Sequence, residues 1–155
     1  NQEGEAVMPK IYLCNDQAAQ FTETDVESGT VFIVDTSSTG ANLVISLPAA
    51  GGGLHYRFFF KAAGSQIVHI DAKAVTSGTN DDFLGSISDS EGATQSSVAY
   101  NGSSHNQITV GASYEIGDYI EIVGTDANQW LVLPTSTSTD IGEIAAANSS
   151  ANTSE

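Results

Sequence analysis

Three histidines, one cysteine and nineteen carboxylates are the side chains with which this 155-residue chain could perform chemistry. A nucleophilic hydrolase needs a Ser or Cys beside a base that a third group orients. His55 and His69 fall inside strand-like patterns, His105 lies in the polar loop 101–106, and no G-x-S-x-G elbow occurs, so each histidine reads as structural or solvated. Cys14 follows Tyr12 and Leu13, with no Lys, Arg or His in the next dozen residues to stabilise a thiolate. It reads as a small buried hydrophobe, and a single cysteine excludes both an intrachain disulfide and a multi-thiolate zinc site.

The carboxylates are too numerous for any one pair to stand out as a glycosidase dyad. Asn80-Asp81-Asp82 and Asp89-Ser90-Glu91 could offer oxygen ligands to calcium, and His69 and Asp71 share one strand face without a third ligand. Neither an EF-hand pattern nor H-E-x-x-H is present. The run 49–53, AAGGG, lacks the Lys-Ser/Thr of a phosphate loop and precedes a strand, so it reads as a turn. The residues therefore predict no enzyme, no catalytic residue, no cofactor and no metal.

Charge narrows the partners. Nineteen acids face four cations, Lys10, Arg57, Lys61 and Lys73, for a net charge of −15. Phosphate binding depends on clustered Lys and Arg, so nucleic acid is excluded as a partner, and an anionic membrane surface is disfavoured. No run of about 18 apolar residues exists to span a bilayer, and no secretory signal is read; a soluble chain is expected.

The elements that must position these groups are strands. Val and Ile number 23 against 8 for Leu and Met, and β-branched side chains suit a pleated surface. Apolar positions recur in short runs at 7–13, 31–35, 42–47, 54–61, 66–72, 107–110, 118–123 and 129–133, separated by Gly, Asn, Asp and Ser clusters. This spacing predicts an all-β fold, an antiparallel β-sandwich or barrel-like jelly roll with extended terminal arms. In 54–61 alternation sets Leu54, Tyr56, Phe58 and Phe60 on one face and His55, Arg57, Phe59 and Lys61 on the other. The second face is either solvated or in contact with an acidic partner. Ile120 and Ile122 oppose Tyr119, Glu121 and Val123, and 125–128 reads as a hairpin loop leading to Trp130 and Val132. Only 15–20 and 140–147 have helix-compatible composition. The predicted organisation is an N-terminal arm or edge strand over 1–13, one β-sandwich domain over 14–134, and a low-complexity C-terminal tail over 135–155.

One resemblance rests on specific residues. Leu47-Pro48 ends an apolar strand, 49–53 makes a small-residue turn, and Gly53-Leu54-His55-Tyr56-Arg57-Phe58 follows; later come Gly117-Asp118, a polar turn and Trp130. Over 42–72 and 117–132 the chain resembles the small β-rich virion modules of tailed bacteriophages, found in head decoration (cement) proteins and in tail or fibre proteins. The resemblance implies a structural virion protein on the outer surface of the capsid. It would bind the major capsid protein and bridge subunits, as a homo-oligomer, a trimer. The contact residues it implies are Val7, Met8, Ile11, Tyr12, Arg57, Phe59, Lys61, Ile141 and Ile144, with the arms 7–13 and 135–147 gaining order on contact. The alternative is a tail or fibre module that binds a host receptor or glycan, stacking sugars on Trp130, Tyr119 and Tyr100.

Overall fold

A computed structural model describes residues 10–15, 18–20, 27–72, 81–89, 97–126, 128–137 and 144–147. They form twelve strands: β1 (Ile11–Cys14), β2 (Ala18–Gln20), β3 (Val31–Val34), β4 (Leu43–Ser46), β5 (His55–Phe60), β6 (Val68–Asp71), β7 (Asp82–Asp89), β8 (Ser97–Asn101), β9 (Gln107–Val110), β10 (Tyr119–Asp126), β11 (Gln129–Thr137) and β12 (Ile144–Ala147). A seven-stranded sheet has the order β1-β3-β5-β10-β11-β7-β8, and a five-stranded sheet the order β12-β9-β6-β4-β2. The fold is all-β and sandwich-like, as the composition predicts.

Both sheets are mixed, where a purely antiparallel sandwich was expected. From β1 to β6 the chain alternates between the two sheets at every strand, so strands of one sheet are laid down in the same direction. Ile11 pairs with Val31 and Val31 with Arg57, all parallel, while Leu43 pairs parallel with Val68 in the other sheet. This half of the molecule is a short two-sheet coil. After β6 the chain turns to hairpins: β7 with β8, and β10 with β11, whose turn is closed by Asn128 at φ 75.

The core lies between the sheets. Phe32 stacks on Phe58 with ring centroids 4.9 Å apart, Tyr56 meets Trp130 at 5.5 Å, and Phe60 meets Tyr114 at 4.6 Å. Leu43, Ile45, Val68, Ile70, Ile108 and Val110 close on them from the smaller sheet. Each fully buried large side chain contributes about 1.5–3 kcal/mol of transfer free energy, so these inward rows fix the strand registers.

Both helix-compatible segments supply strands. β2 pairs parallel with β4, and β12 pairs antiparallel with β9, because ladder partners within the same chain override the helical leaning of Ala and Gln. The same partners change the reading of the arms. Residues 11–14 form the edge strand next to β3, 135–137 extend β11, and 144–147 lie against β9. Residues 1–9, 138–143 and 148–155 lie outside the described residues. Two strands, β7 and β8, fall where the apolar runs were too sparse to predict any.

Candidate functional site

The outer face of the larger sheet is built by alternation. Wherever β1, β3, β5, β10, β11 and β7 send one side chain into the core, the next points away from it. Strand register aligns the outward residues in rows: Leu13, Ile33, Phe59 and Tyr119 form one, and Ile11, Val31, Arg57 and Glu121 the next. His55, Val123, Leu131 and Leu84 form a third. Ile11 is 64% exposed, Leu13 54%, and Phe59, Tyr119 and Leu84 37% each. Most positions in these rows are apolar on a chain whose net charge is −15.

A charged cluster crosses the middle of the face. Arg57 donates to Glu121 Oε2 from Nη2 at 2.6 Å and from Nε at 3.0 Å, and His55 Nε2 lies 3.2 Å from Oε1. The Arg57 guanidinium also sits 5.5 Å from the centre of the Tyr119 ring. Hydrogen bonding from Arg57 holds the Glu121 carboxyl below its ordinary range; partial burial opposes this, and His55 adds to it. At the rim Lys61 Nζ lies 3.9 Å from Asp35, and Lys10 rests over the Tyr12 ring at 5.1 Å. The hydroxyl and amide of Ser37 keep the Asp35 carboxyl low. Three of the four cations therefore lie along this sheet; Lys73 is outside the described residues.

This arrangement suits docking. Arg57 engages one Glu121 oxygen and the His55 ring nitrogen lies against the other, which leaves the carboxylate a poor proton acceptor. A face of apolar rows crossed by internally paired charges presents little uncompensated charge to a partner.

The remaining candidates are held apart. His69 Nδ1 bonds the Thr109 hydroxyl at 3.1 Å, and Asp71 accepts from Gln107 Nε2 at 2.7 Å, so these neighbours on one strand face turn to different partners. His105 Nδ1 accepts the Asn101 amide at 3.2 Å, inside a loop where Asn101 Oδ1 accepts from Ser103 and Ser104. Asp81 is buried and accepts the Ala50 amide at 2.7 Å, which fixes the turn 49–53. Burial pushes the neighbouring Asp82 carboxyl up, against the pull of His105. Among the described residues no three His, Cys, Asp or Glu converge as metal ligands.

Of the sequence-derived contact residues, Ile11, Arg57, Phe59 and Lys61 come together on this face or its rim. Tyr12 does not: its ring stacks toward Phe32 at 6.1 Å and packs on the core. Val7, Met8 and Ile141 lie outside the described residues, and Ile144 begins β12 on the other sheet. Sequence reasoning missed Leu13, Ile33, Val123, Leu131 and Leu84 as members of the face. The period-two alternation carries that signal once the strand neighbours are known. The glycan reading loses two of its three aromatics, since Trp130 and Tyr100 are buried. Comparison of the chain with family models, curated proteins and solved structures gives no match.

Proposed function

We propose that the chain is a non-catalytic adhesion protein that docks through the outer face of its larger sheet, and that it serves as a capsid decoration protein on the outside of a tailed-phage head. The observation that carries the adhesive reading is the set of outward apolar rows around the Arg57–Glu121 pair. The capsid as partner is supported by the resemblance of 42–72 and 117–132 to phage virion modules. An acidic body suits an external position, because it resists adsorption to DNA and keeps free copies soluble. The mechanism is adhesion without turnover: apolar surface buried across neighbouring capsid subunits opposes their separation as DNA is packaged.

The test is a binding assay with capsids stripped of external proteins, using the wild-type chain and Phe59→Asp, whose side chain is already part-exposed. Binding of wild type, its loss in Phe59→Asp and an unchanged melting curve are the expected results. Binding of both proteins alike would move the contact off this face. Binding to host glycans with none to capsids would replace the decoration reading with the tail or fibre one.

A further inference from the structure

We propose that two copies of this chain join through β1, antiparallel and about a two-fold axis at Tyr12, so that their larger sheets run on as one. Among the described residues no strand lies beyond β1 in that sheet. The Val31 amide bonds the Lys10 carbonyl at 2.8 Å and the Asp35 amide bonds the Cys14 carbonyl at 3.0 Å, so the even-numbered residues of β1 turn their backbone groups toward β3. By strand alternation Ile11 and Leu13 turn their N–H and C=O groups to the open edge.

The two edges of the sheet differ in how they meet solvent. β8 shows Ser97, Ala99 and Asn101, small or polar residues that discourage pairing. β1 shows Ile11 and Leu13, at 64% and 54% exposure, with no charged side chain, proline or bulge between Ile11 and Cys14. An edge left apolar in this way is a template for another strand.

A second copy fits this edge by symmetry and by charge. With Tyr12 opposite the Tyr12 of the second copy, Ile11 of each lies opposite Leu13 of the other. Those are the residues whose backbone groups point outward, so each pair exchanges two hydrogen bonds. Side-chain parity agrees, since Ile11 and Leu13 both stand on the outer face and cover each other across the axis. Two bodies of charge −15 repel except where they present no bare carboxylate. β1 carries no acid, and Lys10, Arg57 and Lys61 lie on or beside β1 and β5. This contact is two-fold, in place of the trimer that the phage resemblance implies. It rests on the edge strand alone, so failure of capsid binding would leave it standing.

The experiment mixes two single variants of the full chain, Ile11→Cys and Leu13→Cys, under mild oxidation. In the proposed register residue 11 of one copy faces residue 13 of the other at disulfide distance, whereas like positions are offset by two residues along the strands, which puts their Cα atoms beyond the roughly 7 Å that a disulfide spans. A cross-linked dimer in the mixture, and none from either variant alone, is the expected result. Sedimentation of Leu13→Pro gives the second measurement, because this change deletes an outward N–H and spares the ladder to β3. It is expected to weaken dimerisation at least about tenfold, with the circular dichroism unchanged and with Ala99→Lys on the other edge behaving as wild type. A monomeric wild type, a trimer indifferent to Leu13→Pro, or cross-linking by either cysteine variant alone would overturn the proposal.

Discussion

Glu121 on β10 stands directly opposite Arg57 on β5 in the antiparallel ladder, and one of its oxygens takes both guanidinium hydrogen bonds. His55, one pleat repeat away on β5, places its Nε2 3.2 Å from the other oxygen. Because the folded-state pKa of Glu121 lies below its ordinary 4.5, its contribution to stability is full above that value and is lost as pH falls through the folded one. Arg57 is half-exposed, which limits the contribution to that of a surface pair, about 0.5–1 kcal/mol. Urea melts should show Glu121→Gln weaker than wild type by this amount at neutral pH, with the gap closing in acid. A gap that persists unchanged in acid would mean that shape, not charge, is what the pair supplies. Asp35 carries the same sign and Asp82 the opposite one, since burial raises Asp82 and favours its neutral form in the fold.

Close approach of main chains fixes three glycines, Gly64 against the Ala112 carbonyl and two more within the larger sheet. A Cβ on Gly124 would lie 2.1 Å from the Gly51 carbonyl oxygen, and one on Gly85, at φ +124, would lie 2.2 Å from that of Val132. Neither neighbour is a side chain that can swing away, so Gly124→Ala and Gly85→Ala should each cost at least about 2 kcal/mol. Gly40→Ala, with nothing within 4 Å of the added carbon, should stay close to wild type in the same denaturation series.

The faces were legible in the sequence and the neighbours were not. Alternation in 54–61 set Tyr56, Phe58 and Phe60 inward and Arg57, Phe59 and Lys61 outward, and the sheet keeps that division. The same holds for Ile120 and Ile122 against Tyr119 and Glu121. Period two says which way a side chain points, but it is silent on which strand lies beside it. The parallel coil of β1 to β6 could not be read for that reason, nor could the meeting of Glu121 with Arg57, which lie 64 positions apart. Asp82–Asp89 escaped notice because Gly85, Ser86 and Ser88 dilute its apolar signal, and only its partners β11 and β8 make it a strand. Ala18–Gln20 escaped for the converse reason: its composition suits a helix, and β4 decides otherwise.

Two buried tyrosines should answer oppositely to loss of the hydroxyl. Tyr114 bonds Thr36, whose hydroxyl neighbours that of Ser65. The Tyr100 hydroxyl has no hydrogen-bond partner among the described residues, and burial drives its pKa upward. An unpaired buried hydroxyl costs desolvation without return, whereas a paired one contributes about 0.5–1.5 kcal/mol. Tyr114→Phe should therefore lower the urea midpoint, and Tyr100→Phe should leave it unchanged or raise it. A loss in Tyr100→Phe equal to that in Tyr114→Phe would mean that its hydroxyl is satisfied after all, for instance by a buried water.

Cys14 turns the edge strand into a reporter of its own opening. The thiol is 2% exposed, and burial pushes its pKa up to about 12, so the folded chain holds it as the unreactive thiol at pH 8. A disulfide reagent must therefore wait for β1 to leave β3, its one strand neighbour among the described residues. Such an edge opens more often than the whole sandwich unfolds. Labelling should run slower than for the denatured chain by orders of magnitude, yet faster than global unfolding measured by Trp130 fluorescence. It should also slow as protein concentration rises, because pairing of two β1 strands would hold the edge shut. Labelling at the rate of a free thiol would place Cys14 at the surface and undo the assignment of β1 to the sheet.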